Sequence, residues 1–269
     1  MRVIYKKLKI SMNPYQLYSL VQREHSESFL LESIEGGEHL SRYSFVGCNP
    51  RAVIRQFGNQ VEVTENGRSV ARHTVTPGAA GPGTVKDGLA VVEQVLAQYR
   101  AVDVPGLPRF TGGAVGFIGY EFIHDVEPVV PRPPRDELGT PVMYWLIVDK
   151  LLIFDRVAQT LTVLVNAFVE SPARAEAAYD QAIAEIIRLV GLLRQPLEHS
   201  PATVPVELPF LPFESNQPKE KFLANVLEAK KYITAGDIIQ IVGSQRFATR
   251  TGAAALDVYR ADEAVLRDI

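Results

Sequence analysis

The sequence predicts an α+β protein in which antiparallel β-sheets are flanked by amphipathic helices. Three observations predict it. Between Val53 and Thr74 three short runs alternate apolar with polar side chains across two tight turns. Between Met143 and Val169 two runs rich in Leu, Ile and Val flank a polar turn. Apolar residues recur at helical spacing in several segments between these runs and beyond them. With 269 residues, 46% of them hydrophobic and 22% charged, the chain has the composition of a globular protein. At about 150 residues per domain it is long enough for roughly two domains.

In order, Tyr15, Leu17, Tyr18 and Val21 predict a helix over Pro14 to Gln22, and Phe29 to Ile34 and Tyr43 to Val46 read as strands. The meander Val53–Phe57, Gln60–Glu65, Ser69–Thr74 turns at Gly58-Asn59 and Asn66-Gly67, dipeptides that tolerate the positive φ of two-residue hairpins. Val85 to Tyr99 reads as a helix with Leu89, Val92, Val95 and Leu96 on one side, broken by Pro105 to Pro108. Met143 to Phe154 and Thr160 to Val169 form a second β-rich pair around Asp155 to Gln159. Ser171-Pro172 opens a helix to about Leu193, serine as cap and proline in the first turn. Six prolines between Gln195 and Pro218 deny backbone donors and mark a boundary, so that 1–195, the linker 196–218 and 219–269 are the expected divisions. A helix over Lys219 to Ala235 closes at Gly236, Ile238 to Phe247 reads as a strand, and Ala254 to Leu266 as a final helix.

Charge and composition narrow the function classes. Lys plus Arg number 28 against 31 acidic residues, a net charge of -3, with no basic stripe of the kind that neutralises nucleic-acid phosphates. The single cysteine, Cys48, permits no intrachain disulfide and suggests a reducing compartment. No apolar run reads as a signal-peptide core or a membrane span, so the expected location is the cytosol.

Familiar catalytic signatures are absent from the sequence. The histidines at 25, 39, 73, 124 and 199 form no His-x-x-x-His pair, and neither a phosphate-wrapping Gly-x-x-x-x-Gly-Lys loop nor a Gly-x-Ser-x-Gly elbow occurs. Gly112, Gly113, Gly116 and Gly119 miss the spacing of a dinucleotide loop; they read as a strand or turn where another backbone comes close. Glu121, His124 and Asp125 would share one face of a short helix, as an ion-pair cluster or solvated face more readily than a proton-transfer site. Two segments mix buried-type and polar residues. In FLLESI, Glu32 and Ser33 interrupt an apolar strand, so Glu32 either faces solvent or meets a donor such as a ligand amine. In GDIIQIVGSQRF, alternation puts Gln240, Val242 and Ser244 on one face with Arg246 following, a polar surface suited to an anionic, hydroxylated small molecule or to an edge strand in water.

Taken together, LLES (Leu30 to Ser33), RYSFVG (Arg42 to Gly47), FTGGAVGFIGYE (Phe110 to Glu121) and AGDIIQIVGSQRF (Ala235 to Phe247) resemble the large subunit of anthranilate synthase, component I, a chorismate-binding enzyme family. The resemblance runs from about residue 28 to Ala261 and extends more loosely to aminodeoxychorismate synthase component I. It implies antiparallel sheets packed as a sandwich with helices outside, 1–195 being a regulatory domain and 219–269 the beginning of a chorismate-binding domain. It further implies a lyase that uses Mg²⁺ to add ammonia to chorismate and eliminate pyruvate, with ammonia from a glutamine amidotransferase subunit, component II. By the same resemblance Leu31, Glu32 and Ser33 contact tryptophan as feedback effector, and Gln240, Ser244 and Arg246 border the active site.

The chain departs from the family pattern after LDVYRA, where it reads DEAVLRDI. No residue matches the family's catalytic histidine or Mg²⁺ carboxylates, so no catalytic or metal residue is assigned. Gly243 stands where the family carries a larger side chain. The expectation is a truncated form, inactive alone, with an exposed apolar face on the Ile238–Phe247 strand and poor solubility or dependence on a partner. The alternatives are a noncatalytic tryptophan-binding or partner-docking module and an aminodeoxychorismate synthase component.

Overall fold

The computed structural model describes residues 2–32, 42–78, 81–132, 135–197 and 211–267, with side chains described through residue 261. The chain forms two compact units, Met1–Leu197 and Glu198–Ile269.

In the first unit two sheets pack face to face. One has five antiparallel strands in the order β1 (Arg2–Lys9), β11 (Thr160–Ala167), β10 (Lys150–Asp155), β3 (Tyr43–Cys48), β2 (Ser28–Leu31). The other has six, in the order β7 (Thr84–Val85), β6 (Arg68–Val75), β5 (Gln60–Glu65), β4 (Ala52–Phe57), β9 (Met143–Val148), β8 (Gly113–Ile118), and only the β6–β7 pair is parallel. Val53, Leu146 and Val148 of the second sheet meet Leu151, Ile153 and Leu164 of the first in the layer between them. Because side chains alternate along a strand, the next residues along face outward. Leu152, Phe154 and Val163 lie under helices α1 (Pro14–Glu24) and α4 (Ala175–Leu192), and Ile54, Met143 and Ile147 lie under α2 (Leu89–Leu96). The order is helix, sheet, sheet, helix, the expected α+β sandwich. Central strands buried on both faces explain why Met143 to Phe154 lacks apolar–polar alternation.

That segment corrects the reading of 143–154 as one β-rich stretch. It is two strands in different sheets. Val148 pairs with Gly113 in the six-stranded sheet, and Lys150 pairs with Val165 in the five-stranded one. Asp149 is the single residue between, its carbonyl accepting from Asn166 N at 2.8 Å and its carboxylate from Lys150 Nζ at 2.8 Å.

Local signals explain the helix and turn boundaries. Helix α1 is closed by a reciprocal cap, Asn13 Oδ1 accepting from Gln16 N at 2.8 Å and Gln16 Oε1 from Asn13 N at 3.0 Å. The meander turns at Asn66 (φ 49°) and Gly67 (φ 73°) as expected. The helix anticipated over 85–99 is shorter, because Val85 is drawn into β7 and Asp87 Oδ1 accepts from Ala90 N at 2.9 Å, starting the helix there. Ser171 accepts through its carbonyl, not its hydroxyl, and a single 3₁₀ turn over Pro172–Arg174 precedes α4. Strand β1 has no counterpart in the sequence reading. The glycine cluster is β8 and its entry. A Cβ on Gly116 would run into the Tyr144 carbonyl and approach Trp145 Cα at 2.8 Å, so glycine there permits β8 and β9 to pair.

In the second unit, α5 (Lys219–Ala235) ends at Gly236 in the left-handed conformation (φ 83°), as its position requires. The expected strand Ile238–Phe247 does not form. Only β13 (Phe247–Ala248) is extended and paired, with β12 (Glu214–Ser215), before a last helix α6 (Ala255–Arg267). A strand needs a hydrogen-bonding neighbour, and among the described residues β12 supplies only two residues of one. The expected apolar exposure is present without the strand: Ile239 is 99% and Val242 81% exposed.

Two predictions follow from this packing. Gly116→Ala forces β8 away from β9 and costs about 1–3 kcal/mol, by analogy with overpacked interiors. Urea unfolding followed through Trp145, which lies on β9, measures it; an unchanged midpoint refutes the close approach. The second concerns Glu62, whose carboxyl is held down to about 2 by hydrogen bonds from Ser69, Arg72 and Arg55. A depressed carboxyl contributes stability that is full above its ordinary 4.5 and lost as pH falls towards 2. Glu62→Gln is therefore less stable than wild type near neutrality, and the gap closes across that acid window, as thermal midpoints at each pH would register.

Candidate functional site

The candidate effector strand lies at the edge of the five-stranded sheet. Among the described residues strand β2 pairs only with β3, through Ser28–Cys48, Phe29–Gly47, Leu30–Val46 and Leu31–Phe45. At Gly47 a Cβ would overlap the Phe29 ring, so the RYSFVG glycine makes room for the aromatic residue that seats β2. Leu31 is half exposed, and Ser33 lies outside the described residues.

Glu32, immediately after β2, is where the sequence left two choices, and the structure supplies a donor. Its carboxylate is 5% exposed and accepts from Arg156 Nη2 at 2.7 Å. Arg156 also donates from Nη2 and Nε to Ser44 Oγ at 3.2 and 3.3 Å, and its backbone N–H reaches the Arg42 carbonyl at 2.9 Å. Arg156 sits in the β10–β11 turn, whose shape is set by Asp155. Its Oδ1 accepts from Val157 N and Ala158 N, both at 3.1 Å, and Arg42 grips the carboxylate from outside at 2.7 Å. Burial alone would raise the Asp155 pKa, but the Arg42 hydrogen bond, with the two amides, outweighs it and holds the carboxyl below its ordinary value. Thus RYSFVG and the Asp155–Gln159 turn jointly position the Glu32 partner. Arg156 is the residue sequence reasoning missed; the only signal was a charged residue in a polar hairpin turn.

Gln240, Ser244 and Arg246 belong to the second unit and do not line up on a strand face. Ser244 offers its carbonyl to Gln217 Nε2 at 3.2 Å, and the Arg246 backbone donates to Asn216 Oδ1 and accepts from Asn216 N, both at 3.0 Å. Gln240 is exposed. A Cβ at Gly243 would lie 3.7 Å from the Phe222 ring, so a larger side chain would pack onto α5 there. The segment is pinned by its backbone at one end and open elsewhere.

Within the Glu121, His124, Asp125 triplet, at the short helix α3 (Ile123–Val126), the ion pair forms at Asp125. Glu121 is exposed, while the Asp125 carboxylate is fully buried and accepts from Gln56 Nε2 at 2.9 Å, Arg132 Nη2 at 3.2 Å and Gly88 N at 3.3 Å. His124 Nδ1 lies 3.1 Å from the Val130 carbonyl. The three do not converge on one point. Among the described residues no group of three or more His, Cys, Asp and Glu side chains is placed to hold a metal ion, so none is assigned to Mg²⁺. Among the same residues no helix is long and apolar enough to cross a membrane.

Comparison with known proteins extends over both units. Residues 26–265 match the model of the chorismate binding enzyme family. Anthranilate synthase component 1 of Pseudomonas putida is 35% identical over 258 residues, covering 92% of this chain and 48% of the relative. That of Synechocystis sp. is 37% identical over 232 residues, covering 82% and 43% respectively. The crystal structure of anthranilate synthase component I from Streptococcus pneumoniae TIGR4 superimposes with a TM-score of 0.61 at 25% identity, over 87% of this chain and 47% of that one. The chain spans about half the length of the curated relatives it matches. These relatives give the aminodeoxychorismate synthase alternative no support over the anthranilate synthase reading. With the family match covering most of its length, and with the sandwich and helices in place, the chain belongs to the chorismate-binding enzyme family.

Proposed function

We propose that this chain provides the sandwich and effector strand of an anthranilate synthase component I, converting chorismate and ammonia to anthranilate and pyruvate when the full-length enzyme is assembled. The observation that carries the reading is the family match over 26–265, which takes in both units. On this reading the sandwich is regulatory, 219–269 begins the chorismate-binding portion, and Gln240, Ser244 and Arg246 border the substrate. The partner is a glutamine amidotransferase, the component II that the relatives' name implies, and the setting is the cytosol. Mg²⁺ supplies charge neutralisation for the substrate in such an enzyme. The described residues offer no ligand cluster for it, and no step is routed through it here.

The effector reading assigns tryptophan to Leu31, Glu32 and Ser33. Its chemistry is supported by the Glu32–Arg156 pair. A zwitterionic amino acid replaces that one ion pair with two, its ammonium on Glu32 and its carboxylate on Arg156, and leaves no net charge buried. Leu31, half exposed beside them, offers an apolar surface for the side chain.

Two measurements test this. Because the 240–246 segment is open, the 269-residue chain mixed with chorismate, Mg²⁺ and ammonium is expected to give no anthranilate fluorescence; steady turnover would place the active groups within this chain. Calorimetry with tryptophan is expected to show saturable binding that Glu32→Gln weakens at least tenfold. Absence of binding to the wild-type chain would sink the assignment of the effector site to these residues alone. Independently of any ligand, Arg156→Met removes the 2.7 Å partner of the buried Glu32 carboxylate and costs roughly 1–3 kcal/mol, part of which the double variant Glu32→Gln/Arg156→Met recovers. Equal losses in single and double variants would show that the pair is not coupled.

A further inference from the structure

The corner where the chain passes from one sheet to the other holds a cavity of about 150 Å³, and none of its lining residues belongs to the candidate effector or substrate segments. Its walls are apolar where Leu96, Ile147 and Phe168 contribute, and they carry one cation, Arg51, and one anion, Asp149. The two charges are not equivalent. Asp149 is balanced by Lys150 at 2.8 Å. The Arg51 guanidinium instead sits over the Phe168 ring, 3.9 Å from its centroid and 5.8 Å from that of Tyr99, and its Nε donates to Tyr99 Oη at 3.2 Å. Among the described residues no carboxylate forms an ion pair with it. A guanidinium held by a ring and one hydroxyl in this way keeps its remaining N–H groups as donors.

The cavity is built rather than incidental. Tyr99 and Phe168 meet edge to face at 4.6 Å, fixing the ring that supports Arg51. At the lining residue Thr111, the carbonyl accepts from Asn166 Nδ2 at 2.7 Å. Gly112 follows with φ 149°, where a Cβ would come within 2.7 Å of Asn166 Nδ2 and 2.9 Å of the Val148 carbonyl. Any side chain at 112 would displace that wall, so the glycine keeps it in place.

We propose that this cavity binds a small monocarboxylate with an apolar body about the size of benzene. The volume sets the body, since an apolar cavity of about 150 Å³ accepts benzene. The unbalanced guanidinium sets the carboxylate, by a charge-assisted, two-point hydrogen bond. Asp149 sets the charge, because a second negative group would face a carboxylate already satisfied by Lys150. The site takes a monoanion and rejects a dianion.

The test uses the full chain with benzoate as probe, by calorimetry and by amide shifts in heteronuclear NMR. Benzoate is expected to bind saturably, moving the Gly112 and Gly113 amides, with affinity weakened at least tenfold in Arg51→Gln. On wild-type protein benzylamine, of the same shape and opposite charge, and phthalate, a dianion, are expected to bind at least tenfold more weakly than benzoate. This selectivity series keeps the test decisive if the variant fails to fold. No saturable benzoate binding up to about 10 mM, equal binding of benzylamine, tighter binding of phthalate, or an Arg51→Gln affinity matching wild type would each overturn the proposal.

Discussion

The first unit depends on a single backbone event, the passage from one sheet to the other at Asp149. Strand β9 ends with Val148 bonded to Gly113, and one residue later β10 begins with Lys150 opposite Val165. Side chains alternate with a period of two, so the length of this passage decides which residues face the interior. It places Leu146 and Val148 against Leu151 and Ile153 between the sheets, while Ile147 and Leu152 go to opposite outer faces. An inserted residue would turn one strand's set over and bring the outer residues into the intersheet layer. Asn166 closes the corner by bonding both Asp149 and Thr111, and Gly112 clears the space it needs. Polar atoms thus hold the bend, and the two neighbouring apolar runs supply the burial.

From that corner a second link reaches the candidate effector strand. Tyr144, on the inner face of β9, donates to the Glu27 carboxylate at 2.7 Å, and Glu27 immediately precedes β2. Burial, and then the Glu27 hydrogen bond, push the Tyr144 hydroxyl up to about 12, so it keeps its proton and remains a donor over the ordinary pH range. The bond ties the entry of an edge strand in one sheet to a central strand in the other. With the entry fixed by Tyr144 and the exit by Arg156, only four residues of β2 lie between two polar anchors. An edge strand has half the backbone bonds of a central one, and side-chain anchors at both ends offset that deficit.

How much of this was legible in the sequence depends on the range of the signal. The Asn66-Gly67 turn, the Gly236 cap and the α5 span rest on a few neighbouring residues and read directly. Helix α2 was overextended because β7 captured Val85, a pairing with β6 that no local pattern announces. Asp149 and Lys150 interrupt the longest apolar stretch, a visible sign, but that the break is a change of sheet follows only from knowing where Gly113 and Val165 are. The Ile238–Phe247 strand failed for the complementary reason: its apolar pattern is real, but a strand exists only with a hydrogen-bonding neighbour. For the site, Glu32 declares itself as a misplaced carboxylate, whereas Arg156 lies 124 residues away and nothing local singles out Arg51, which sits over Phe168 only in the folded chain.

On the two ligand proposals, the Glu32–Arg156 pair and the Arg51 corner also select against each other's ligand. At Glu32 and Arg156 the charges balance, so a lone carboxylate arriving there must compete with Glu32 for the guanidinium and adds a net negative charge to a buried place. A zwitterion avoids this by bringing its own cation. At the corner the cation has no paired carboxylate among the described residues, and a lone carboxylate completes it, whereas a zwitterion brings an ammonium to an Asp149 already held by Lys150. On these two proposals the same two side-chain types, arginine and a carboxylate, form receptors of different charge at two places in one sandwich. The difference lies in whether the turn chemistry pairs the arginine with an acid or with aromatic rings.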